Sequence, residues 1–148
     1  MSPDEFELRS PQNATDWAQY HQIRHHVLFE LRGRGDKYDP NHPDETAPGH
    51  FPLLLARGDD VLGVIRIDVT PPVAILRRVA IRLDRQREGL GTVLLAMAET
   101  FAHRHQCTEL LSSVAPDAVP FYSRCGFRPV ERSTSGSVPM TKRIGAKV

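Results

Sequence analysis

The sequence predicts an α+β domain folded around one mixed sheet. Two observations carry that expectation. Short β-rich runs alternate with helix-periodic segments, in the order strand, helix, strands, helix, strand, helix, strands. Proline and glycine clusters punctuate these runs, so each element is short and its neighbour follows closely. With 148 residues, the chain is expected to form a single domain, 1–148, long enough for a substantial core.

Phe6 to Ser10 alternates apolar and polar side chains and reads as a short strand. Asn13 or Thr15 can cap a helix running to about Leu31, with Trp17, Tyr20, Ile23, Val27, Leu28 and Leu31 near one face. The stretch from Arg32 to His50 is rich in proline and glycine and cannot be regular for long. Loops of this length inside a compact domain are uncommon and often functional. A hairpin follows, Phe51 to Arg57 and Val61 to Val69, turning at Gly58-Asp59-Asp60. Pro71 and Pro72 break it, and Val73 to Ile81 is a third β-rich run. From Gly89 a helix is expected to about His105, burying Leu90, Val93, Leu94, Met97 and Phe101. Glu109 to Val114 is a strand, and a short helix starts near Pro116. Phe127 to Arg132 and Val138 to Ile144 form a closing antiparallel pair.

Charge and composition exclude several function classes. The formal net charge is +1, so no basic field argues for nucleic acid or an anionic membrane. No apolar run approaches the roughly 20 residues of a membrane span, and the N-terminus MSPDEFELRS does not have the pattern of a signal peptide. The two cysteines, Cys107 and Cys125, form neither a disulfide framework nor a metal-binding spacing. His21 and His25 share a helical face beside His26, but no further ligand stands at a telling spacing, so no metal is expected. These features fit a cytoplasmic protein with reduced thiols.

The stretch RQREGLGTVLL, Arg85 to Leu95, places two glycines where a helix begins. Each glycine costs a helix interior roughly 1 kcal/mol relative to alanine. The first-turn N–H groups of a helix lack intrahelical acceptors, the dipole favours an anion, and glycine admits a ligand close to the backbone. A P-loop would need Gly-Lys-Ser/Thr, and a dinucleotide fingerprint would need glycine at Leu94; neither is present. Taken alone, Gly89-x-Gly91 fits an anion site or a simple tight turn.

Its flanks are more specific. Ile81-x-Leu-x-x-Gln86-x-x-Gly89-x-Gly91 resembles the acetyl-CoA motif of the GNAT superfamily of N-acetyltransferases. Downstream, Ala118-Val119-Pro120-Phe121-Tyr122-Ser123-Arg124-Cys125-Gly126-Phe127 resembles the A-x-x-F-Y-x-x-x-G-F segment of the same family. The resemblance covers about Val61 to Arg132 strongly. It implies a GNAT-like sheet of about seven strands flanked by about four helices and splayed between the fourth and fifth strands. It also implies acetyl-CoA as the acetyl donor, with no metal. Its diphosphate would lie on the N–H groups of Arg87, Glu88, Gly89, Leu90, Gly91 and Thr92, after the motif residue Gln86. Its pantetheine arm would pair with the strand Val79, Ala80 and Ile81, and an N–H near Val79 would face the thioester carbonyl.

By its place after Phe121, Tyr122 resembles the family tyrosine that protonates the departing thiolate. A phenol is protonated at neutral pH and roughly matched to that leaving group. The residues alone favour a core tyrosine with its hydroxyl tied to backbone. The base is not evident. Where some family members carry a glutamate on the third β-rich run, this chain has Ile75, and by strict alternation its neighbours on that face are Arg77 and Val79. An asparagine common before the tyrosine segment is Ala115 here. Asp44, Glu45, His42 and His50 are candidate bases, beside a relay through water. Four acids and one lysine between Asp36 and Glu45 would attract an ammonium substrate or form a solvated surface loop. Arg77 or Arg78 can point toward the ligand, and Cys125 is expected to be a small buried side chain.

The reading is an N-acetyltransferase acting on a primary amine of a small molecule or peptide, with homodimer pairing through the C-terminal strands expected by analogy. The alternative is a catalytically idle acyl-CoA-binding sensor of the same fold, which Ile75 and Ala115 keep open. An unrelated nucleotide- or phosphate-binding module is a third reading.

Overall fold

The computed structural model describes residues 6–29, 46–130 and 136–145. One mixed sheet organises them. Its strands are β1 (Glu7–Arg9), β2 (His50–Arg57), β3 (Asp60–Thr70), β4 (Val73–Ile81), β5 (Glu109–Val114), β6 (Arg128–Pro129) and β7 (Val138–Arg143). The spatial order is β1-β2-β3-β4-β5-β7-β6, and β4 with β5 is the parallel pair. The helices are α1 (Ala14–Ile23), α2 (Leu90–Arg104) and α3 (Val119–Arg124). Against the four or so helices expected, the described residues contain three α-helices, with α1 continuing as a π-helical stretch over Arg24–Phe29. Leu31, the expected end of the first helix, lies outside the described residues.

Local chemistry explains these boundaries. The side chain of Asn13, not Thr15, caps α1 by accepting the N–H of Asp16 at 2.8 Å. Asp16 sits in the first turn, where the helix dipole favours an anion, and its carboxylate takes a hydrogen bond from Arg9 at 3.3 Å. The hairpin closes with Arg57 opposite Asp60, and Gly58 supplies the positive φ of 62° that the turn requires. Pro71 and Pro72 link Thr70 to Val73, which face each other across the next turn.

Each face of the sheet holds a cluster. Leu53, Leu55, Ile65, Ile67, Leu76 and Leu110 pack against α2 and α3, while Leu54, Val64 and Ala80 pack against Tyr20 and Ile23 of α1. The buried seam of α2 differs from the expected stripe. Leu90 and Leu94 are buried as expected, but Leu95, Ala98 and Ala102 complete the seam, and Val93, Met97 and Phe101 are only partly buried. The alanines bring the helix axis close to the sheet, so the bulkier side chains flank the contact.

β4 does not alternate strictly. Val64 pairs with Ala80 and Arg66 with Arg77, so one extra residue of β4 is looped out; Arg78 there has φ 57°. This bulge reverses the expected facing of Val79. Arg77 shares a face with Ile75 and Ala80, whereas Val79 packs into the cluster beneath α2.

Candidate acetyl-CoA site

The sheet opens where the sequence motif begins. β4 and β5 pair from Val73 with Glu109 to Leu76 with Ser112, and no further. β5 continues to Val114 along β7, and β4 continues to Ile81 along β3. Among the described residues, the edge of β4 from Arg77 to Ile81 therefore has no strand partner on the β5 side. A strand edge of this kind presents unpaired N–H and C=O groups to any extended chain laid along it.

At the end of β4 the chain enters a braced turn. Arg82 donates to Asp60 at 3.0 Å and to Asp84 at 2.9 and 2.8 Å; Arg85 donates to Asp60 at 2.7 Å. The two arginines hold the Asp60 carboxyl below its ordinary range, against the opposing effect of burial. The amide of Gln86 reaches back to the carbonyl of Ile81 at 3.0 Å. Arg82, Arg85 and Gln86 therefore fasten the loop to the sheet. Exposed Arg87 has φ 70° and no side-chain partner among the described residues.

Gly89 is the N-cap of α2, with φ 80° and no side-chain cap, so the first-turn amides of Leu90, Gly91 and Thr92 are uncapped by any side chain. A Cβ at Gly89 would meet nothing within 4 Å, whereas one at Gly91 would lie 3.0 Å from Cζ of Phe121. The two glycines thus serve different ends. Gly89 sets the backbone and leaves the approach open; Gly91 lets the ring of the second motif seat against the helix that carries the first. A cavity of about 210 Å³, bordered by Thr92, Phe121 and Arg124, lies beside this helix start. A larger one of about 490 Å³ lies against α1, bordered by Gln19, His26 and Leu83, away from Tyr122 and its contacts.

Tyr122 is 7% exposed, edge-on to Phe121 and Phe127. Its hydroxyl lies near Ser112, the β5 residue of the last rung before the strands part. Burial pushes the phenol above its ordinary pKa, and the nearby Ser112 hydroxyl partly offsets this by favouring the phenolate. The group is therefore a protonated donor at neutral pH, at the apex of the opening. Cys125 is half-buried near Tyr122, rather than fully buried as the sequence suggested.

The opposite face of the sheet carries an ion cluster that the sequence reading missed. Asp68 of β3 stands directly across from Ile75. It accepts from Arg66 at 2.8 and 2.9 Å and from Nε of Arg77 at 2.8 Å, and Nε2 of His50 lies 3.5 Å away. The available signal was two opposite charges at a spacing of two, Arg66 and Asp68, inside an otherwise apolar strand. Ser112 gave a similar signal, as a polar residue on the inward face shared by Leu110 and Val114. Of the candidate bases, His50 falls in this cluster; Asp44, Glu45 and His42 lie outside the described residues. Among the described residues no three His, Cys, Asp or Glu side chains gather as metal ligands, and no helix is long and apolar enough to cross a membrane.

Residues 13–127 match the acetyltransferase (GNAT) family, and the chain belongs to that family. Solved structures share its fold. The ribosomal-protein-S18-alanine N-acetyltransferase of Escherichia coli has a TM-score of 0.74 at 18% identity, with 97% of this chain and 96% of that chain covered. The PaiA N-acetyltransferase of Thermoplasma acidophilum, in complex with coenzyme A, has 0.74 at 17%, covering 97% and 99%. An acetyltransferase of Thermus thermophilus has 0.74 at 23%, covering 97% and 99%.

Proposed function

We propose that the chain, as one domain, transfers an acetyl group from acetyl-CoA to the primary amine of a small molecule or peptide by direct attack on the thioester. The observation that carries this reading is buried Tyr122 beside Ser112, at the rung where β4 and β5 separate. The residues present fit the donor. The free edge of β4 suits the amides of a pantetheine arm, with Val79, Ala80 and Ile81 along it. Arg87, Glu88, Gly89, Leu90, Gly91 and Thr92 surround an anion site at the helix start, and Arg87 supplies an uncommitted charge.

In this reading the N–H of Val79 polarises the thioester carbonyl and stabilises negative charge developing on its oxygen. The neutral amine nitrogen forms the new C–N bond, the C–S bond breaks, and Tyr122 gives its proton to the thiolate sulfur. The nitrogen loses a proton to water, through which the phenolate regains one. His50, oriented toward Asp68, is the described candidate for assisting that loss. Pairing of two copies through the C-terminal strands and a cytoplasmic setting belong to the same proposal.

Ile75 and Ala115 favour a second reading, an acyl-CoA-binding sensor without turnover. A thiol-release assay with acetyl-CoA against amines, polyamines, amino acids and peptides separates the two. Release with at least one amine supports the transferase; CoA binding without release for every amine supports the sensor.

A further inference from the structure

Arg77 is the first residue of β4 beyond the last rung shared with β5. It projects from the face opposite Leu76, whose side chain belongs to the cluster beneath α2. Tyr122 with Ser112 and Arg77 with Asp68 therefore flank the same opening from opposite faces of the sheet. The Arg77 side chain is 46% exposed, yet it is not a loose surface arginine. Its Nε is fixed on the buried Asp68 at 2.8 Å, and Asp68 is itself gripped by two nitrogens of Arg66. No described residue takes the two terminal nitrogens of Arg77.

Asp68 is shared between Arg66 and Arg77, and the exposed guanidinium of Arg77 spends only its Nε on that carboxylate. An arginine held by Nε keeps its outer edge free for a second, planar acid, and two-pronged pairing of this kind is what guanidinium offers that ammonium does not. A positive charge here repels a purely cationic amine. It suits an acceptor that carries an acid near its amino group.

We propose that Arg77, aimed by Asp68, is the specificity residue that binds a carboxylate on the acceptor, so that the acceptor is a small amino acid-like amine. This rests on the transferase reading above and narrows its substrate class. Asp68 is a positioning residue: it fixes the direction in which the guanidinium faces.

The test is thiol release from acetyl-CoA with α-, β- and γ-amino acids, each against its own carboxamide, and with an uncharged alkylamine and a polyamine. A carboxamide is less basic and holds more neutral amine at pH 7, so intrinsic reactivity runs against the proposal. The expected result is kcat/KM for at least one amino acid about ten- to hundredfold above its carboxamide. In Arg77→Gln that ratio should collapse toward one through acceptor KM, while KM for acetyl-CoA holds. Arg77→Lys keeps the charge on Asp68 but loses the planar fork, and should give an intermediate ratio. Should Arg77→Gln fail to fold, the wild-type ratio and Arg77→Lys still decide. Carboxamides, alkylamines or polyamines used as well as amino acids would overturn the proposal and leave the transferase standing. A carboxylate preference that survives both substitutions would overturn the assignment to Arg77. Thiol release with no amine at all would overturn the transferase reading and this proposal with it.

Discussion

Tyr122 lies beside Ser112, and Ser112 is the partner of Leu76 at the last rung between β4 and β5. α3, which bears Tyr122, thereby reaches the point where the sheet opens. The same helix seats against the start of α2, because Gly91 leaves room for Phe121. Two motifs separated in sequence become one site through two small residues.

Tyr122→Phe removes the hydroxyl and little volume. Turnover should fall about a hundredfold or more, the range expected for loss of a positioned acid. The affinity for coenzyme A, measured by calorimetry, should hold. Unchanged turnover would remove Tyr122 from the chemistry.

Ser112→Ala withdraws the hydroxyl that favours the phenolate, so the phenol's pKa should rise further. Any alkaline limb of kcat that reports Tyr122 should then move to higher pH, with a smaller loss of turnover than in Tyr122→Phe. A limb that stays in place would mean that the limb is not set by Tyr122 or that Ser112 does not tune it.

Stability should fall at alkaline pH. Burial raises Cys107 above its ordinary 9.0 and Tyr122 above its ordinary 10.0. For a group whose folded pKa is raised, the contribution is complete below the unfolded pKa and lost as pH climbs toward the folded one. Thermal midpoints should therefore decline from about pH 9 upward, and less steeply in Tyr122→Phe.

Gly89→Ala and Gly91→Ala should fail differently. At position 89 the left-handed backbone costs a side chain about 1–2 kcal/mol, with a loss of coenzyme A affinity as the approach narrows. At position 91 the new methyl meets Phe121 at 3.0 Å, so Tyr122 should be displaced and turnover should fall along with stability. Thermal denaturation, calorimetry and kinetics on both variants check the contrast.

Much of this was legible in the sequence because period-two runs and turn residues are local signals. The β2–β3 hairpin, the β4 run and the start of α2 fall within a residue or so of expectation. What was hidden depends on tertiary contact. The α2 seam runs along Ala98 and Ala102 because the helix approaches the sheet closely, which helical periodicity alone ranks below the larger Val93 and Met97. The bulge at Arg78 has no glycine to announce it, and it alone moves Val79 to the other face. Asp68 and Ser112 gain their meaning only from the strand opposite, Ile75 in one case and Leu76 in the other.

The position of coenzyme A decides whether the α2 start and the β4 edge form its site. A co-crystal with coenzyme A is predicted to show the diphosphate on the amides of Gly89 to Thr92, the pantetheine along Val79 and Ile81, and the sulfur beside the Tyr122 hydroxyl. Coenzyme A seated instead in the cavity against α1, with the edge of β4 left bare, would contradict it.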